Sequence, residues 1–105
     1  MPIKIHAKGV VLSERESWVV DKLIPEYYAK IERQVKNEVD LVVHIKVHDV
    51  SKRRQKFNIH VDVANSVRFG ATADDWELAR AIHKVMKNIM SEIEHKLHAS
   101  DQHDK

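Results

Sequence analysis

Residues 52–86 read KRRQKFNIHVDVANSVRFGATADDWELARAIHKVM, and the spacing of apolar residues changes along them. Apolar and polar residues alternate from Phe57 to Val63, which predicts a strand with one buried face. Ala64-Asn65-Ser66 predicts a short turn, and residues 67–71 predict another strand. From Leu78 to Leu97 apolar residues recur every three or four positions, which is typical of a long helix with one buried side. This stretch therefore predicts two strands followed by a helix.

The residues before this stretch add two more strands. Alternation predicts a strand at about residues 2–7 and a second at Leu41–Val47. Between the second and third strands, DVSKRRQ at residues 49–55 is polar and suits a hairpin connection that reaches into solvent. With one helix between the first two strands, the order is β-α-β-β-β-α. We expect an α+β fold, a four-stranded sheet with two helices packed on one face.

Local signals mark the starts of both helices. Ser13 and Glu16 have capping-box spacing, so helix one begins there, and its pattern extends through Arg33. Proline lacks the amide donor and crowds the preceding turn, so Pro25 predicts a kink or a break in helix one. The candidate caps of helix two are Thr72, Asp74 and Asp75.

Length and composition limit the possible functions. A chain of 105 residues suits one domain, expected at residues 1–99, with a flexible tail at 100–105. No apolar run is long enough for a membrane span or a signal peptide, so we expect a cytoplasmic protein. Cysteine is absent, and two glycines are too few for a phosphate-binding loop. We therefore expect no enzyme, catalytic residue, cofactor or small-molecule substrate.

Two strings, KRRQKFNIHV (52–61) and VRFGATADDWELARAI (67–82), together with the order of elements, resemble the ribosome hibernation promoting factor family. That family includes translation inhibitors of the ribosomal subunit interface. Its members have a similar basic hairpin and an Ala-Ile-Asp string in the last helix, where this chain has Ala81-Ile82 followed by His83. The tyrosine that commonly precedes this string is replaced by Ala79. The chain resembles the short form, without a dimerisation domain.

The resemblance implies a function and a set of partners. It implies binding to the small ribosomal subunit and its rRNA, in the messenger and transfer RNA channel, under stress. Translation would be inhibited by steric exclusion, without a catalysed reaction. The oligomeric state is left open.

Basic side chains on both helices and on the hairpin are the candidate RNA-binding groups. On each helix they fall roughly opposite the apolar residues, so two adjacent helices would combine them into one surface that neutralises phosphates. The candidates are Arg15, Lys22, Lys30, Arg33, Lys52, Arg53, Arg54, Arg80, His83, Lys84 and Lys87. Without the resemblance, the same charges would be interpreted as solvated helix faces, and the hairpin lysine as protection of a strand edge.

Two alternatives remain open from the residues. One is a generic module that binds structured RNA. The other is a histidine-rich oligomeric or metal-binding protein that uses the exposed sheet face, although neighbouring lysines would repel a cation and we expect no metal. The residues expected on that face are Lys4, His6, His44, Lys46, His48, Asn58, His60 and Arg68. Trp18 and Trp76 lie at helix starts, and we interpret them as edges of the core rather than as stacking platforms for bases.

Overall fold

The computed structural model describes the backbone of residues 3–7, 9–51 and 54–102, and the side chains of residues 3–7, 9–48 and 55–97. The elements are β1 (Ile3–His6), α1 (Glu14–Val35), β2 (Asp40–Ser51), β3 (Arg54–Ala64), β4 (Arg68–Asp75) and α2 (Leu78–Gln102). Their order is β-α-β-β-β-α, so the predicted α+β fold class is confirmed.

The four strands form one mixed sheet in the order β1-β2-β3-β4. β1 pairs with β2 in parallel, because α1 carries the chain back between them, and the other pairs are antiparallel. Val43 is aligned with Ile5 on one side and with Val61 on the other. Side chains alternate between the two faces of a strand, so this register places the odd-numbered residues of all four strands on one face.

The core lies between that face of the sheet and the two helices. Ile31 of α1, Ile82 of α2 and Val61 of β3 are all completely buried within one cluster. Tyr28 of α1 adds a buried hydrogen bond, because its hydroxyl donates to the Val39 carbonyl just before β2 at 3.0 Å. Burial, followed by the hydrogen bond and the charge of the Glu32 carboxylate, raises the pKa of Tyr28 to about 12.

Helix α1 begins as predicted but is not broken at Pro25. The Ser13 hydroxyl accepts a hydrogen bond from the Glu16 amide at 3.1 Å, and the Glu16 carboxylate accepts one from the Ser13 amide at 2.9 Å. This is the predicted capping box. The helix continues through Pro25 to Val35, so a break there is wrong; Ile24 and Tyr28, on either side of the proline, are both buried in the core.

The hairpin strands are longer than predicted. β2 continues to Ser51 and β3 begins at Arg54, so most of the expected 49–55 loop is paired strand with an irregularity between Asp49 and Ser51. Backbone hydrogen bonds extend the ladder where side chains are polar, and the apolar spacing does not report such bonds. Lys52 and Arg53 lie outside the described residues.

Strand β4 continues to Asp75, beyond the predicted end at Ala71. Thr72 and Asp74 are therefore strand residues, and the prediction that either caps helix two is wrong. Asp75 does cap the start of helix two, because its carboxylate accepts a hydrogen bond from the Glu77 backbone amide at 3.1 Å. Helix α2 then extends to Gln102, and residues 103–105 lie outside the described residues. The flexible tail stays a prediction.

Candidate nucleic-acid interface

The two helices lie side by side and run in the same direction. The Tyr27 hydroxyl and the Nδ1 of His83 are 2.6 Å apart, and further along the helices the side-chain amide of Gln34 donates to the Met90 carbonyl at 2.7 Å. Both contacts join positions 56 residues apart in the chain, so the helices stay in step along this length. Their outer sides consequently lie next to each other.

On α1 three predicted cations occupy the side away from the core. Successive residues of a helix are 100° apart around its axis, so Arg15, Lys22 and Arg33 lie roughly opposite the buried Ile24 and Ile31. All three side chains are exposed. Lys22 and Arg15 form no ion pair within the described part of the chain, so both remain available to an anion.

The fourth α1 candidate, Lys30, lies on the side of the helix nearer α2. Its Nζ is 5.1 Å from the centre of the Tyr27 ring, a cation–π contact. Burial, followed by the neighbouring Glu26 carboxylate, raises the pKa of Tyr27. The Tyr27 hydroxyl therefore stays protonated at neutral pH, and it is held against His83 while Lys30 covers the ring.

Two of the four α2 candidates are bound to one buried carboxylate. The Lys84 ammonium lies 2.8 Å from Asp75 Oδ2, and the Arg80 Nε lies 3.0 Å from Asp75 Oδ1. Lys84 also donates to the Asp74 carbonyl at 3.2 Å, and Arg80 lies 3.7 Å from the Glu77 carboxylate. Only 8% of the Asp75 side chain is exposed. Arg80 and Lys84 thus carry their charge on the surface, yet much of it is compensated by Asp75.

The Asp75 pKa reflects this arrangement. The hydrogen bond from Lys84, followed by that from the Glu77 amide and by the charge of Arg80, holds the pKa well below its usual range, although burial acts in the opposite direction. Asp75 is therefore ionised at any physiological pH. An RNA phosphate that approaches Lys84 or Arg80 has to compete with it.

The other two α2 candidates differ from that pair. His83 is exposed on its outer side while Nδ1 is engaged by Tyr27, and Lys87 follows one turn later. Lys87 is exposed and, among the described residues, forms no ion pair. Lys30 and Lys87 both lie between the Tyr27–His83 and Gln34–Met90 contacts, so they bring positive charge to the junction of the helices.

The hairpin candidates contribute no described side chain. Arg54 begins β3, with its backbone aligned with Ser51, and its side chain lies outside the described residues, as do Lys52 and Arg53. RNA binding by these three stays a prediction.

The opposite face of the sheet carries the histidines where the sequence placed them. The His6 and His44 rings stack with centres 5.1 Å apart, and the His60 ring follows 6.1 Å from His44. His60 is held by the Thr72 hydroxyl at 2.7 Å and by the Asp62 carboxylate at 3.0 Å. Within the described part of the chain, no group of three or more metal-binding side chains could hold a metal ion.

Trp18 is the clearest residue that the sequence interpretation misplaced. Its side chain is 61% exposed, so its interpretation as an edge of the core is wrong. The helical period explains this exposure, because at 100° per residue Trp18 lies about 120° around the axis of α1 from the buried Ile24. The Nζ of Lys22, one turn later, is 4.9 Å from the centre of the Trp18 ring.

A groove of about 420 Å³ separates the start of α1 from the start of α2. Val19, Phe57 and Leu78 supply apolar walls, and Arg15 and Glu77 supply charges.

No helix in the described part of the chain has the length and apolar character needed to cross a membrane.

The fold and the cationic helical surface define a small two-layer α+β protein, and two solved structures share this fold. One is a ribosomal subunit interface protein from Coxiella burnetii, with a TM-score of 0.62, 13% identity, and coverage of 91% of this chain and 97% of that one. The other is the Thermus thermophilus Protein Y N-terminal domain, with a TM-score of 0.60, 16% identity, and coverage of 89% and 96%. Both belong to the hibernation promoting factor family, so the resemblance expected from the sequence is confirmed for the fold. No family model matches the sequence, and no curated protein does.

Proposed function

We propose that this chain is a ribosome-associated hibernation factor that binds the small ribosomal subunit and inhibits translation under stress. The observation that carries the proposal is the shared fold, which extends over nearly the whole of a protein named for the ribosomal subunit interface. The cationic surface along α1 and at the α1–α2 junction supports it, because rRNA presents a dense array of phosphates.

Inhibition by occupancy requires a rigid body and a charged face. The core packs both helices on the sheet, so Arg15, Lys22 and Arg33 project from a fixed scaffold rather than from a loop. Shape and backbone contacts would dominate the recognition, since the deep groove of helical RNA is closed to side chains. Such a protein blocks the messenger and transfer RNA channel of a cytoplasmic ribosome by filling it, without chemistry.

Co-sedimentation with purified ribosomal subunits through a sucrose gradient tests this proposal. We expect the protein to migrate with small subunits at moderate salt and to be released at high salt. Migration with free duplex RNA, but not with subunits, would favour the generic RNA-binding module instead.

A pair of double variants tests the surface. Lys22→Glu with Lys87→Glu places acidic residues on the helical side, where we expect association to fall at least tenfold. Lys4→Glu with Lys46→Glu makes the same charge change on the opposite sheet face, where both lysines are exposed, and should leave association nearly unchanged. Equal losses in the two variants would show an effect of net charge only, and contradict the helical site.

A functional assay completes the test. Addition of the wild-type protein to a reconstituted translation reaction should lower peptide synthesis in proportion to subunit occupancy, and the helical double variant should not. Binding without inhibition would contradict occlusion of the channel.

A further inference from the structure

Trp18 differs from the other large aromatic residues at the helices and the sheet. Tyr27, Tyr28, Phe57 and Phe69 are each no more than 7% exposed, whereas Trp18 is 61% exposed. A tryptophan ring is the largest apolar group available to a core, and this one contributes little to it. Single exposed apolar residues are common, so the exposure alone assigns nothing.

The surroundings of Trp18 are more specific. Arg15 lies one turn before it and Lys22 one turn after it, and the Lys22 ammonium is 4.9 Å from the ring centre. The two cations are exposed and form no ion pair within the described residues. The acidic neighbours Glu14 and Asp21 lie on the side of the ring away from this basic row. The Lys22 ammonium therefore lies over one face of the Trp18 ring, and the basic row lies along one side of it.

We propose that Trp18 stacks on an unpaired nucleobase of the bound RNA while Arg15 and Lys22 contact the phosphates on either side of that base. The inference rests on the proposed function and names a contact within the same surface. An aromatic face accepts any base, and flanking cations track the backbone, which is the usual combination in proteins that bind single-stranded RNA. A paired base inside a duplex cannot reach the ring, so the ligand is a single-stranded segment, a loop or an end.

Tryptophan fluorescence reports the stack directly. The variant Trp76→Phe leaves Trp18 as the sole tryptophan of the chain. We expect a twelve-nucleotide adenosine oligoribonucleotide at low salt to quench its emission, and inorganic polyphosphate of similar charge, which has no bases, to leave the emission nearly unchanged. Equal quenching by both polyanions, or binding without quenching, would overturn the proposal.

Affinity measurements on the unmodified background give an independent test. By fluorescence anisotropy of a labelled oligonucleotide, Trp18→Ala should weaken binding about tenfold, and Trp18→Phe should retain most of the affinity. A duplex of the same length should bind the wild type and Trp18→Ala equally. If Trp18→Ala retains full affinity for the single strand, Trp18 does not stack on bases, and a protein partner becomes the better explanation of its exposure.

The two proposals can fail separately. If wild-type protein co-sediments with small subunits and the Trp18→Ala variant does so equally, with unchanged oligonucleotide affinity, the stacking inference is wrong and the ribosomal function stands. If wild-type protein does not associate with subunits, the proposed function is wrong, while the quenching experiment still decides whether Trp18 stacks on bases.

Discussion

Lys84 and Lys87 provide a matched pair for testing the proposed contact of the α2 cations with RNA. Both are exposed lysines less than one turn apart, but Lys84 lies 2.8 Å from Asp75 Oδ2 whereas Lys87 has no ion pair among the described residues. RNA that binds Lys87 displaces only water and counterions. RNA that binds Lys84 must also weaken an existing ion pair, so we expect Lys87 to contribute more to binding.

The salt dependence of affinity measures that difference. A cation that contacts a phosphate contributes about 0.7 to 0.9 to the slope of log affinity against log salt concentration. Lys87→Gln should reduce the slope by about that amount, equivalent to roughly threefold in affinity between about 50 and 200 mM salt. Lys84→Gln should change the slope by much less, because Asp75 already compensates the charge of Lys84 in the free protein.

The assay is anisotropy with a labelled fragment of small-subunit rRNA at four salt concentrations. Lys46→Gln, on the opposite face of the sheet, serves as the control for loss of one positive charge, and circular dichroism verifies that each variant is folded. Equal changes of slope for Lys84→Gln and Lys87→Gln would refute the role assigned to Asp75. An unchanged slope for Lys87→Gln would remove Lys87 from the interface.

Three further predictions concern stability. Tyr28→Phe removes the 3.0 Å hydrogen bond to the buried Val39 carbonyl and should lower the free energy of unfolding by about 1–2 kcal/mol in urea titrations; an unchanged midpoint would contradict this. The Asp75 pKa is held below its usual value, chiefly by Lys84, so its stabilising effect is present above about pH 4 and is lost as the pH falls through the lowered folded-state pKa. The free energy of unfolding of Asp75→Asn should therefore be lower than that of wild type at pH 7, and the gap between them should narrow below about pH 4. A gap that stays constant with pH would argue against the ion pairs. Lys36, the capping residue directly after α1, has φ of 63°, a left-handed conformation that favours glycine. Lys36→Gly should therefore raise the free energy of unfolding by about 0.5–1 kcal/mol, and a lower thermal midpoint would exclude strain at that position.

The sequence predicted the order of elements because most elements bury one side almost completely; β1 is the exception, since Ile5 on its core-facing side is 39% exposed. In β2 and β3 the odd-numbered residues Val43, Ile45, Ile59 and Val61 are almost completely buried, so apolar spacing reports their orientation directly. Element ends were less predictable. The hairpin extends through polar residues that pair by backbone alone, and the end of β4 consists of small and polar residues between Gly70 and Asp75.

The candidate site was predictable in part, for a related reason. Helical period placed Arg15, Lys22 and Arg33 on an outer side, and no tertiary information was needed for that. The compensation of Arg80 and Lys84 depends on Asp75, whose orientation follows from the length of β4. With a strand that ended at Ala71, Asp75 would be only a helix cap. With β4 continued, its odd position turns the carboxylate towards the helical side, within reach of both cations.

This geometry shifts the centre of the proposed RNA surface from α2 to α1. Asp75 joins the end of β4 to the first turns of α2 through Arg80 and Lys84, so these two cations stabilise the packing of that helix before any RNA arrives. On α1, Arg15 and Lys22 form no ion pair among the described residues. Lys30 lies between them and Lys87, which is at the junction of the helices. Charge that is already compensated releases few counterions when RNA binds, whereas uncompensated charge releases more. The outer side of α1, continued by Lys87, should therefore dominate binding even though both helices carry a similar number of basic residues.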